Sequence, residues 1–247
     1  MPLPNIPVFS HDPIRQMLQQ KEIVYAPSQE AILQKLLTIE DKELRALGAF
    51  LYSTGARISE VLGDKKKNRP ALQYGAVEYK SVDKHRYAEV RLTTLKNRMK
   101  GLRFVAVPMF IPIEVQIWSY FSSLYEHRID TIFKKYDTQN ARITVWNKFS
   151  SRISFVTDVM DLKTKRMEQK EVRLHPHLLR HFRLSHLVTL YNYNPFQLQE
   201  FAGWSDTRQA SVYVSLSSAN LAQQFAKFRY VRSKPVAPEI LQQPQVL

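Results

Sequence analysis

Three short strings of this chain carry residues that could do chemistry on a phosphate. In T-G-A-R-I-S-E at 54–60, Arg57 falls just past a glycine turn, where a helix should begin. Unpaired backbone N–H groups and the helix dipole favour an anion there, and a guanidinium adds a fork that matches phosphate oxygens. Taken alone, a solvated arginine paired with Glu60 is the commoner outcome. In H-P-H-L-L-R-H at 175–181, His177 and Arg180 stand three apart and share a helix face, a donor pair suited to a phosphate. A metal reading would need His177 and His181. The glutamate of H-E-x-x-H is replaced by Leu178, and the chain has no cysteine, so no metal is expected. In the third string, G-W-S-D at 203–206 is followed by Tyr213, nine residues after Trp204. A phenol has a pKa near ~10 and is a weak nucleophile until activated. By itself Tyr213 reads as a core aromatic.

These strings need elements to position them. Residues 1–27 are proline-rich and aperiodic and read as an arm or linker. A helix is expected from about Ser28 to Leu37. Asp41 should cap the next, with Leu44, Leu47 and Leu51 inward and Gly55 as its stop. Ile58, Val61 and Leu62 make a short helix that Gly63 ends. Residues 72–108 switch to period two, with a hairpin turn at 98–101. Pro112 opens a helix with Ile113, Ile117, Tyr120, Phe121 and Leu124 inward. Within 130–172, a helix around 147–160 and a basic loop around 161–172 are expected. Pro176 starts a helix with Leu179, Phe182 and Leu190 on its apolar side, and Pro195 a short one ended by Gly203. Asp206 or Thr207 should cap a helix holding Tyr213. Leu221, Phe225 and Phe228 form one more amphipathic stripe, and the tail from Ser233 has no pattern. The fold class is therefore α+β, mainly helical, with a small antiparallel sheet between helices. Residues 28–230 form the main domain, and 231–247 a C-terminal tail.

The formal net charge of the 247 residues is +14, spread over the turns at 64–70, 96–103 and 163–170. Charge dispersed over several loops suits a folded clamp on a polyanion better than a basic arm, and double-stranded DNA is the expected partner. Lys100, Arg103 and Arg208 are the expected DNA contacts. No stretch approaches the length of a membrane span and no signal-peptide pattern opens the chain. A cytoplasmic location, at nucleoid or host-cell DNA, is expected.

The order of the strings resembles the tyrosine recombinase, or phage-type integrase, family: arginine, hairpin lysine, His-x-x-Arg, Gly-Trp-Ser-Asp, tyrosine. The similarity spans about residues 41–230. It implies site-specific cleavage and rejoining of DNA through a 3′-phosphotyrosine intermediate, without cofactor. Arg57 and Arg180 would clamp the scissile phosphate. His177 would assist in phosphate binding and proton handling. Trp204, where most members have a second histidine, could donate its indole N–H but not act as a base. Tyr213 would attack phosphorus, and Glu60 would brace the site. The general acid would be a hairpin lysine; Lys96 is preferred to Lys100 because it ends the better-patterned strand. A homotetramer on two duplexes is implied. Phe182 and Arg183 depart from the small residues usual after the His-Arg motif. A type IB topoisomerase or telomere resolvase would share this logic. A non-catalytic helix-turn-helix DNA-binding protein, reading bases with Arg208 and Gln209, is the alternative from another class.

Overall fold

The structure is a computed structural model. It describes residues 22–65, 69–93, 101–109, 111–126, 130–161, 164, 166–210 and 213. In chain order these give β1 (Glu22–Val24), α1 (Gln29–Leu37), α2 (Lys42–Thr54) and α3 (Ile58–Val61). Strands β2 (Val77–Val82), β3 (His85–Thr93) and β4 (Leu102–Pro108) follow, then helices α4 (Pro112–Glu126) and α5 (Ala141–Arg152). Strands β5 (Ser154–Asp161) and β6 (Met167–Arg173) precede α6 (Pro176–Thr189) and α7 (Pro195–Ala202).

Helix α2 is the axle of the fold. Its N-cap is Asp41, whose carboxylate accepts from the N–H groups of Glu43 and Leu44 at 3.1 and 3.2 Å. From Ala46 to Thr54 every residue is buried, the mark of a helix packed on all sides, and α2 lies against α4 and α6. Phe50 projects into an aromatic cluster, with ring centroids 5.9 Å from Phe121 and 5.7 Å from Phe133. Such offset and edge-on contacts add to the gain from area burial alone.

Two antiparallel three-stranded sheets flank the helices, with strand orders β2-β3-β4 and β1-β5-β6. In the first, β2 and β3 are joined by Asp83 and Lys84, both at positive φ, as a two-residue hairpin turn of the primed kind requires. On β4, Arg103, Val105 and Val107 face inward while Phe104 stays exposed.

The second sheet corrects three expectations. The helix expected over 147–160 is α5, which stops at Arg152, followed by strand β5. Phe149, Ile153, Val156 and Met160 fall at helical spacing and simulate one continuous helix. Yet Phe155, Thr157 and Val159 are the buried residues, and Val156 is 70% exposed. The basic loop expected over 161–172 is largely β6. The arm expected over 1–27 ends in a strand, because Glu22–Val24 pairs with Val159–Asp161 of β5. Leu190, expected on the apolar side of α6, is its exposed C-cap. The expected apolar stripe at Leu221, Phe225 and Phe228 and the tail at 231–247 lie outside the described residues.

Gly63 ends α3 at φ 68°, and a Cβ there would lie 2.5 Å from the Arg69 carbonyl oxygen. The turn that returns the chain toward β2 therefore demands glycine. Gly63→Ala should destabilise the protein by ~1 kcal/mol or more in denaturant unfolding, through strain at positive φ plus a backbone clash. An unchanged midpoint would show that the turn relaxes freely.

Candidate active site

The site is built where two helices end. Helix α2 stops at Gly55, which takes the left-handed conformation at φ 56°, and α7 stops at Gly203 in the same way at φ 65°. A Cβ on Gly55 would come within 2.9 Å of the Phe201 ring, so the two stops are closely packed. Each end presents carbonyls without a helical partner and the negative pole of a dipole, which favours cations.

Two buried arginines answer both ends at once. Arg180, on α6, donates to the Gly55 carbonyl through Nη1 and to the Ala202 carbonyl through Nη2, the latter at 2.8 Å. Arg103, on β4, donates to the Thr54 carbonyl at 3.3 Å and to the Phe201 carbonyl. Arg103 is only 5% exposed, and its guanidinium is a strut between the two helix ends.

Glu60 ties the arginines together. Its carboxylate is buried. One oxygen accepts from Nη1 of Arg57 at 2.8 Å, and the other from Nη2 of Arg103 at 3.1 Å and from the Arg57 backbone N–H at 2.9 Å. Burial pulls the Glu60 pKa up, but Arg103, Arg180 and Arg57 outweigh it and hold the carboxyl below its ordinary value. The same charges act on Arg180. Burial first, then Arg57 and Arg103, push it down to about 9, so it remains charged at neutral pH. Three guanidiniums against one carboxylate leave this cluster two positive charges in excess. Arg57, whose side chain is 17% exposed, is the member that opens toward solvent.

The aromatic part of the site stands on this cluster. The Trp204 ring lies 5.8 Å from the Arg180 guanidinium carbon and stacks at 5.9 Å on Tyr213, with 24° between the planes. Burial pushes the Tyr213 hydroxyl up to about 12, and the charge of Arg180 pulls in the opposite direction. His177 sits exposed at the rim. Desolvation by the surrounding chain, then the charge of Arg180, lower its pKa, leaving the ring neutral at pH 7. Its helix starts from an unexpected cap: His175 Nδ1 accepts from the Leu178 N–H at 3.2 Å, and the ring stacks on Trp146 at 4.4 Å.

Arg57, Glu60, Arg180, Trp204 and Tyr213 therefore converge, with His177 beside Arg180. Arg208 is exposed and paired with Asp206 at 2.9 Å. Lys96 and Lys100 lie outside the described residues. The sequence reading missed His181 as a site residue. Its ring centroid is 5.4 Å from that of Tyr213, and its Nε2 donates to the Val24 carbonyl at 2.8 Å. Its place beside Arg180 in the motif was visible; its bond to a three-residue strand was not. Among the described residues no group of three or more His, Asp or Glu side chains is placed to hold a metal ion.

Glu60→Gln keeps the shape but strips the charge, leaving Arg103 buried without its counterion. The expected cost is roughly 3–5 kcal/mol, the scale for breaking a buried pair. The sign with pH follows from the depressed folded-state pKa. The stabilisation is present above the unfolded value near ~4.3 and is lost as pH falls through the folded one. The gap between wild type and Glu60→Gln in denaturant unfolding should be full at pH 7 and shrink at acid pH. A gap independent of pH would contradict this electrostatic account.

No family model and no curated protein matches the sequence. Solved structures do resemble it. The XerH site-specific recombinase bound to its palindromic difH substrate, in a post-cleavage complex, superposes with a TM-score of 0.54 at 17% identity, over 83% of this chain and 53% of that one. Its pre-cleavage complex with difH gives 0.52 at 17%, over 80% and 52%. The Tn1549 transposon integrase with transposon right-end DNA gives 0.44 at 16%, over 83% and 66%. The chain thus spans about half the length of the XerH recombinase it matches. With its helices, its two small antiparallel sheets and this superposition, the chain has the fold of the tyrosine recombinase catalytic domain.

Proposed function

We propose that this protein is a site-specific DNA recombinase or integrase that cuts and rejoins double-stranded DNA through a 3′-phosphotyrosine bond to Tyr213. The observation that carries the reading is the stack of Tyr213 on Trp204, itself set against the buried Arg180 guanidinium. A phenol, an indole and a cation that is only partly compensated meet there.

The chemistry follows from the groups present. Arg57 and Arg180 bind the non-bridging oxygens of the scissile phosphate and offset the charge that grows in the transition state. Arg180 has five N–H donors and spends two on carbonyls, so others remain for phosphate. The Trp204 indole N–H adds a donor. Tyr213 attacks phosphorus and forms the P–O bond as the bond to the 5′-oxygen breaks. A neutral His177 can take up the phenolic proton, and Lys96, or Lys100 in its place, delivers one to the departing 5′-oxygen. The phosphodiester bond energy is kept in the phosphotyrosine link, so rejoining by the 5′-hydroxyl needs no energy source. A homotetramer on two duplexes, acting on DNA in the cytoplasm, is part of the same reading.

The test is a nicked suicide duplex carrying a candidate site. Wild type should accumulate a covalent protein–DNA adduct, and Tyr213→Phe should bind the same DNA and form none. An adduct that persists in Tyr213→Phe would contradict the assignment. The cluster also predicts strong salt dependence. The log–log slope of affinity against salt should be about −0.9 per phosphate neutralised, and a flat slope would remove DNA as the partner.

A further inference from the structure

His181 packs against Tyr213 and has no part in the proposed reaction. The Val24 carbonyl can only accept, so the bond at 2.8 Å fixes the proton on Nε2. Burial lowers the His181 pKa while the Val24 bond raises it, with a net fall, so the ring is neutral. A neutral ring with Nε2 protonated is locked in one tautomer and one orientation, and that ring packs 5.4 Å from Tyr213 at 45°.

Val24 belongs to β1, and β1 is held in several ways. It pairs with β5 in register, Val24 opposite Val159. The Tyr25 N–H donates to the Asp158 carbonyl at 2.9 Å, and the buried Thr157 hydroxyl donates to the Tyr25 carbonyl at 2.8 Å. Further along, the Pro27 backbone bonds to His186, whose Nδ1 meets the Tyr52 hydroxyl at 2.7 Å. The segment 24–27 is therefore stitched to α6 at two histidines, and one of them touches the nucleophile.

We propose that His181 is a positioning residue for Tyr213, and that β1, through the Val24 carbonyl, sets the orientation in which His181 holds it. The inference rests on the recombinase reading of Tyr213. A change in the pairing of β1 with β5 would then be felt at the nucleophile without altering the phosphate-binding arginines.

The experiment uses the full chain. His181→Leu keeps bulk and removes the bond to Val24; His181→Gln supplies an amide donor in a similar place; Thr157→Val loosens β1 from outside the site. On saturating suicide DNA, His181→Leu should slow adduct formation by ~10-fold or more, since small misplacements of a reacting group are costly. DNA affinity should be unchanged. His181→Gln should recover most of the rate. Thr157→Val should slow the reaction in the same direction, and the double variant Thr157→Val/His181→Leu should be no slower than His181→Leu, because both act through one contact. A second readout needs no cleavage: the Tyr213 ring NMR signals should shift in His181→Leu and in Thr157→Val. If wild type forms no adduct, the recombinase reading fails, and the NMR shifts still decide whether β1 and His181 place the Tyr213 ring. A wild-type rate in His181→Leu, equal losses in Leu and Gln variants, additive losses in the double variant, or unmoved Tyr213 signals would each overturn the proposal.

Discussion

The architecture depends on two helix C-termini being brought face to face and neutralised by buried guanidinium groups. Thr54 and Gly55 close α2, Phe201 and Ala202 close α7, and each pair offers carbonyls that no helix satisfies. Left unpaired in the interior, such groups cost as much as lost hydrogen bonds. Arg103 bridges Thr54 to Phe201, and Arg180 bridges Gly55 to Ala202. The two glycines at the stops take the left-handed conformation that ends each helix, and a Cβ on Gly55 would meet the Phe201 ring at 2.9 Å.

This solution creates a second problem, and the second problem is the site. Burial, and then the repulsion of neighbouring cations, push Arg180 down to about 9. Glu60 compensates part of the charge, and α3 delivers it: Glu60 lies one turn past Arg57 and bonds the Arg57 backbone and guanidinium together. The compensation is incomplete. The remaining positive charge sits beneath Trp204 and Tyr213, where a phosphodiester would complete it. The arginine that joins α2 to α7 is thus also the one that the proposed function sets on the phosphate, and the preorganisation of the site is a by-product of that joint.

Much of this was legible in the sequence, for identifiable reasons. Asp41, Gly55, Pro176, Pro195 and Gly203 mark helix ends by backbone chemistry that holds in any context, and the structure places ends at each. Arg57, His177, Arg180, Trp204 and Tyr213 were picked out by spacing and order, and the structure gathers them. The burial of Arg103 was not legible, because an arginine in a basic turn looks solvated. Its burial is decided by strand phase: it shares the inward face of β4 with Val105 and Val107. The β5–β6 hairpin was hidden by apolar residues that fit a helical period across the end of α5. β1 was illegible because three residues carry no period; only their pairing with β5 defines them. His181 is the consequence, since its role exists only through that strand.

In the proposed reaction the guanidinium cluster acts on the charge of the scissile phosphate and not on the leaving group. The most direct test replaces the bridging 5′-oxygen of a suicide substrate with sulfur, whose thiolate departs without a proton. Single-turnover adduct formation is then compared for Arg57→Ala, Arg180→Lys and Lys96→Ala. The account predicts that sulfur restores cleavage to Lys96→Ala and leaves both arginine variants as impaired as on ordinary DNA. Rescue of Arg57→Ala or Arg180→Lys by sulfur would place the arginines on the leaving group and contradict it.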